Sequence, residues 1–396
     1  MRRRRSSTAL ATDSMTPGDA LRFFDPELAL HERGVDLVRV LLDMEYECAP
    51  VVVAPDAEDV LFARLNYHRL VPQLRAAVES GRIVAETDRL QRNLESASMR
   101  QVVHGLQLES MLVDVGARFN DAGVEFRVLK GTATGHLDHV QPGLRQSADV
   151  DLLVRGDSGF RQASQILADS GFVGADLDIR LMDKGETWRL NDHYSIDLHR
   201  RLHTVGRPIP EDYWDKWESF TIGGHEFRAF DRGGRMAHAA SHLAISYPNH
   251  RIMSSLLDLL LIARAADNLE RRTATELLQA TNVADVVRRI TERAAVLCGA
   301  DRVVVGVRGR HPLDFALRRA YDRPDLDKFD LKLAKTLGMP PRDRLRVLRN
   351  WASPSDEFLA RGGYSSRWDR LWRVTRRRWG GESATHNEAG NSSEEQ

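Results

Sequence analysis

Apolar residues recur at helical spacing over the first third of the chain, give way to short alternating runs in the middle, and return to helical spacing afterwards. Between Asp19 and about Gly123, Leu61, Leu65, Leu74 and Val78 mark a helix whose acidic start is Ala57-Glu58-Asp59. Leu90, Leu94, Val103, Leu106, Met111 and Val115 predict one long or broken helix ending at Asp121-Ala122-Gly123, with Pro55 and Gly81 as punctuation. The period then shortens. Residues 125–129 and 149–154 read as strands, 132–137 as a short helix between them, and 139–147 as loop. A helix over 156–170 stops at Gly171. Residues 187–190 and 194–199 predict two strands around Asn191-Asp192-His193, and 218–229 a hairpin broken at Gly223-Gly224. Helices are expected again over 236–246, 253–266 and 283–297. Pro340, Pro341 and Pro354 interrupt the later part of the chain, and 367–379 is a basic segment. There, Trp368, Leu371, Trp372 and Thr375 share helical spacing suited to docking on the protein's own body, with Trp379 just beyond.

This pattern divides the chain into a disordered lead (1–18), a helical region (19–123), a mixed core (124–232), a second helical region (233–379) and a low-complexity, disordered tail (380–396). Arg2 to Arg5 are not followed by an apolar run, so they do not read as a signal segment.

Chemistry concentrates where the period changes. Val128-Leu129 leads into Lys130-Gly131-Thr132, and Ser147-Ala148-Asp149-Val150-Asp151 opens the next strand. Alternation points Asp149 and Asp151 to one face, with Cα atoms roughly 6.5–7 Å apart. Carboxylates so placed suit a pair of Mg²⁺ ions, which lie about 3.5–4 Å from each other in phosphoryl-transfer sites. A helix opening at Lys130-Gly131-Thr132 would aim backbone N–H groups and a positive dipole at an anion. Together they describe a nucleotide-triphosphate site. A third acid, Asp197, sits between Ile196 and Leu198, where an unpaired charge would be expensive to bury. Asp176 and Asp178 repeat the spacing without a preceding glycine turn and read as surface.

The run Lys130-Gly131, then Pro142-Gly143-Leu144-Arg145, then Ser147-x-Asp149-x-Asp151-Leu152-Leu153-Val154 resembles the uncharacterised bacterial nucleotidyltransferase family of the DNA polymerase β-like superfamily. The resemblance is sharp over 126–202 and weak over about 30–375. Thr132 follows Gly131 where that superfamily has glycine or serine, and the interval to Asp149 is longer than in minimal members. The resemblance implies an α+β fold: a small mixed-sheet nucleotidyltransferase core flanked by helical N- and C-terminal regions. It also implies transfer of NMP from an NTP to an acceptor (small molecule, protein or tRNA) with Mg²⁺ or Mn²⁺. Asp149 and Asp151 would hold both ions and Asp197 would complete the catalytic one. Gly131 and Thr132 would form the phosphate turn. Lys130 and Arg145 are candidates for the triphosphate, and each suits equally the role of counter-ion to the aspartates. His199 shares the Asp197 face and is a candidate for contact with substrate or the metal shell. His238 and His242 have metal-ligand spacing but lack the glutamate of a zinc protease; they read either as helix residues with partners or, as the resemblance implies, as packing beside the nucleotide pocket. Arg251 and Asp258 read as an ion pair bracing their helix. A tRNA-modifying toxin and a non-catalytic nucleotide- or protein-binding member are the rival readings.

Composition narrows the partners. Basic and acidic residues balance at 57 each, so no global field favours nucleic acid or a membrane surface. Only six of the 57 basic residues are lysine, which makes Lys130 a departure from a heavy arginine bias. Cys48 and Cys298 cannot form a disulfide framework or a zinc knuckle, which fits a reducing cytoplasm. The longest apolar run, from Leu256 to Ala266, carries Asp258 and Arg264 and falls short of a membrane span.

Overall fold

The computed structural model describes residues 15–43, 45–174, 185–191, 194–202, 210–245, 253–281, 283–303 and 305–306, with scattered positions from 333 to 373. Asp176, Asp178, Asp192, His193, Arg251, Leu371, Thr375, Trp379 and the tail 380–396 lie outside the described residues, as does 1–14 of the expected lead. Two compact units divide the chain: residues 1–175 with 183–340, and 176–182 with 341–396.

In the larger unit, α1 (Pro17–Phe24) opens behind a Thr16–Asp19 capping box, so ordered structure begins inside the segment read as the lead. After α2 (Gly34–Leu42), strands β1 (Val51–Val53) and β2 (Ile83–Ala85) pair in parallel across α3 (Glu58–Tyr67) and α4 (Val71–Glu79). The apolar period predicts one helix here, and the structure has two. Pro72 can donate no helical N–H and restricts the residue before it, and Arg69 takes a left-handed backbone (φ 57°) between them. The long helix is unbroken: α5 (Arg89–Asp121) runs 33 residues, about 50 Å.

The central sheet has the order β3-β4-β7-β6-β5, where β3 is Phe126–Leu129, β4 Val150–Val154, β5 Val173–Gly174, β6 Gly185–Leu190 and β7 Tyr194–His199. Among the described strands of this sheet only β4 and β7 pair in parallel, so the sheet is mixed. Helix α6 (Lys130–Leu137) links β3 to β4, and α7 (Gly156–Asp169) follows β4. The hairpin of β8 (Trp217–Ile222) and β9 (His225–Phe230) turns at Gly223 and Gly224, both at positive φ, as a two-residue hairpin loop requires. The chain then forms α8 (Arg232–Ile245), α9 (Met253–Ala265), α10 (Asn268–Gln279) and α11 (Ala284–Cys298).

Strand alternation separates two sheet faces. Phe126, Val128, Val150, Leu152, Val154, Ile196 and Leu198 enter a core with the second half of α5, α7 and the hairpin. The opposite face carries Leu129, Asp151, Leu153, Asp197 and His199. A separate, larger core joins helices from both ends of the chain: Leu21, Leu37, Leu74, Leu90 and Leu94 pack with Met236, Leu256, Leu259, Val287 and Ile290. Helices before and after the central sheet of this unit thus share one core. Helix α5 belongs to both cores, and Val103 and Leu106, in the stretch between them, are exposed.

In the smaller unit, Asp369 accepts from Ser365 N, and Ser366 Oγ accepts from Asp369 N just before a short helical stretch that Arg373 braces at 2.8 Å from Asp369. Trp368 and Trp372 are 79% and 57% exposed.

Candidate active site

Strand β3 ends at Leu129, and Lys130 turns the chain into α6 with a left-handed backbone (φ 47°), an uncommon conformation for a residue with a Cβ. Helix α6 therefore begins two residues earlier than the pattern predicts and includes Lys130 and Gly131. A Cβ on Gly131 would collide with Ser147 Oγ, and the Arg145 guanidinium carbon would lie 3.6 Å from it. The glycine lets the turn pack on the loop that precedes β4. Gln73 of α4 fixes that loop by donating to the Leu144 carbonyl at 2.7 Å.

Asp151 is 3% exposed and accepts hydrogen bonds from Lys130 Nζ and from His199 Nε2, the latter at 2.7 Å. Burial alone would raise this carboxyl, but the Lys130 ammonium and the His199 hydrogen bond hold it well below the usual range. Burial pulls Lys130 down, but Asp151, Asp149 and Asp197 more than reverse this, so the ammonium stays charged. Asp197 lies directly opposite Asp151 in the parallel β4–β7 register and accepts from Thr187 Oγ1 at 2.7 Å. Asp149, just before β4, has no hydrogen-bond partner among the described residues. Burial, then repulsion from Asp151, push its carboxyl up to about 6 against the pull of Lys130 and Arg69.

One ligand atom each from Asp151, Asp197 and His199 falls within 4.8 Å of the others, a cluster that could hold a metal ion. The two carboxylates suit a hard divalent cation, whereas His199, already bonded to Asp151, is placed to orient that carboxylate.

These acids line a cavity of about 290 Å³ together with Lys130, Gly131 and Ser147 on the sheet side. Arg69, Arg145, Arg235, His238, His242, Ser254, Ser255 and Asp258 line it from loops and the helical body. Arg145 grips Asp258 with Nε (2.7 and 3.0 Å) and Nη2 (2.8 Å), and His139 Nε2 stands 3.1 Å from the same carboxylate. Arg235 bonds Asp138 twice at 2.9 Å, Glu218 at 3.0 Å and the Phe230 carbonyl at 2.7 Å, which fixes α8 to the end of α6.

The family described as uncharacterised nucleotidyltransferase matches residues 55–299, from the start of α3 to the end of α11. The chain belongs to this family. The matched span takes in the central sheet, the acid cluster and most of the helical body. Among solved structures, an antigenic nucleotidyltransferase-like protein from Paracoccidioides brasiliensis matches with 13% identity and a TM-score of 0.32, over 48% of this chain and 91% of that one. No curated protein matches the chain.

Within this family member, the residues expected from sequence are distributed unevenly. Lys130, Gly131, Arg145, Asp149, Asp151 and Asp197 all line the cavity. Thr132 does not line it, and His199 stands behind Asp151. The cluster joins His199 to Asp151 and Asp197, and Asp149, just before β4, lines the same cavity. Asp258 pairs with Arg145, which reaches it across the cavity wall, while Arg251 lies outside the described residues. His238 and His242 reach the same cavity from successive turns of α8, their ring centroids 6.3 Å apart. Sequence reading missed Arg69, Arg235, Ser254 and Ser255. Arg69 had one usable signal, a basic residue two positions before Val71-Pro72, where a helix must restart.

No helix among the described residues is long and apolar enough to cross a membrane.

Proposed function

We propose that this chain transfers a nucleoside monophosphate from an NTP to an acceptor hydroxyl, with release of pyrophosphate, in the cavity bounded by Asp149, Asp151 and Asp197. The observation that carries this reading is the β4–β7 register, which sets Asp151 beside Asp197 on the face opposite the sheet's apolar core. The first turn of α6 opens onto the same cavity and offers backbone N–H groups to phosphate oxygens.

Four aspartates and four arginine or lysine residues line the cavity, so its lining is close to neutral. Asp149, Asp151 and Asp197 would hold Mg²⁺ or Mn²⁺, which when bound supplies the positive charge this lining lacks, neutralising the triphosphate and acidifying the acceptor hydroxyl. His199 keeps Asp151 in one orientation, and Thr187 does the same for Asp197. Asp197 thereby presents its second oxygen to the acceptor and takes the hydroxyl proton. The freed oxygen bonds to the α-phosphorus while the bond to the β-phosphate oxygen breaks and pyrophosphate leaves. Lys130 and the α6 turn stabilise the charge on the departing phosphates.

The test is transfer of label from α-³²P NTP in the presence of Mg²⁺ and cell extract. Asp151→Asn and Asp197→Asn should each lower transfer by roughly a hundredfold or more, the scale for loss of one electrostatic stabiliser. Transfer that survives both substitutions would overturn the reading.

A further inference from the structure

Of the four cationic side chains at the cavity, three are already committed: Lys130 to Asp151, Arg145 to Asp258, and Arg235 to Asp138 and Glu218. The Arg69 guanidinium has no hydrogen bond or ion pair among the described residues, although it is partly buried and lines the cavity. A cation in that position retains five donors in a fork that matches a phosphate group. Its backbone is left-handed (φ 57°), where glycine or asparagine would be less strained, and a strained arginine facing a cavity points to a role for its side chain.

The turn that carries Arg69 is fastened to the start of α9. Buried Asp25 bonds both His68 and Arg64, the Met253 N–H donates to His68 Nδ1 at 3.3 Å, and the Ser254 N–H donates to the His68 carbonyl at 3.2 Å. Ser254 also lines the cavity. It is 1% exposed, and its hydroxyl has no hydrogen-bond partner among the described residues. An orphaned buried hydroxyl, a guanidinium with no hydrogen bond or ion pair among the described residues and the positive end of a 13-residue helix meet at one wall, with Ser255 next in line.

We infer that Arg69, Ser254 and the N-terminus of α9 form a second phosphate-binding subsite, distinct from the α6 turn. This rests on the nucleotidyl-transfer reading for its substrate, and the phosphate is either the triphosphate tail of the NTP or a phosphate on the acceptor.

Calorimetric titration of the full chain with inorganic phosphate and with Mg²⁺ plus a non-hydrolysable NTP tests it. Arg69→Gly suits the left-handed backbone and removes only the side chain; Ser254→Ala and Arg69→Lys accompany it. Phosphate affinity should fall roughly tenfold or more in Arg69→Gly, fall less in Ser254→Ala, and recover partly in Arg69→Lys. Competition between phosphate and the NTP analogue, with both weakened by Arg69→Gly, assigns the subsite to the triphosphate tail. Arg69-dependent phosphate binding that adds to analogue binding assigns it to the acceptor. Wild type that binds the analogue while Arg69→Gly and Ser254→Ala bind phosphate undiminished overturns the subsite. Wild type that binds phosphate through Arg69 but never the analogue overturns the nucleotidyl-transfer reading and leaves the subsite standing.

Discussion

Asp151 receives Lys130 and His199 and so keeps its charge in a buried place, while Asp149, two residues earlier, faces the same cavity with no hydrogen bond to hold its charge. The consequences for stability have opposite signs. A carboxyl whose folded pKa lies below its unfolded value adds stability that persists above the unfolded value and is lost only in acid, as for Asp151. Asp149 is raised from 3.8 to about 6, so the folded chain binds the extra proton and stability falls as pH rises through that window. The shift corresponds to at most about 3 kcal/mol lost by pH 8. Asp149→Asn should therefore raise the melting temperature of the metal-free protein at pH 8 and leave it nearly unchanged at pH 4. A melting-temperature gain of equal size at both pH values would show that charge repulsion is not the cause.

At the level of elements, the site is a turn and a strand pair. The Lys130-Gly131 turn works because no Cβ stands between Gly131 and Ser147. Gly131→Ala should lower the melting temperature and nucleotide affinity together. Adding Ser147→Ala, which removes the colliding hydroxyl, should restore part of both, with a coupling of roughly 0.5–3 kcal/mol in denaturant titrations. Purely additive effects would count against this contact. The strand pair also explains what the sequence could and could not disclose. Alternation through Ile196-Asp197-Leu198 placed Asp197 opposite the apolar side, and the same rule placed Asp151. That β7 lies against β4, with Asp197 level with Asp151, depends on pairing between segments over forty residues apart, which no local period encodes. Strands β1 and β2 have three residues each, too short for alternation to register. Helix α10 went unread although Asp267 and Glu270 form its capping box, a signal that was available in the sequence. For Arg69 the sequence signalled only a turn before Val71-Pro72; that this turn reaches the cavity wall depends on tertiary packing.

Across the whole molecule, the core shared by Leu21 to Ala97 and Met236 to Val305 makes the two ends of the larger unit mutually dependent. A chain lacking residues 15–88 should leave α8, α9 and α11 with exposed apolar faces, and should aggregate or lose its cooperative unfolding transition. Retention of a sharp transition in that shortened chain would show that the C-terminal helices stand alone. The same sharing sets a timetable during synthesis. The ribosome releases the first ninety-odd residues with their apolar faces complete and the surfaces they pack against not yet made. At ordinary elongation rates, on the order of ten seconds pass between Ala97 and Met236. Through that interval the nascent chain carries an open apolar surface suited to a chaperone, and Arg69 cannot take its place at the cavity until α9 has emerged.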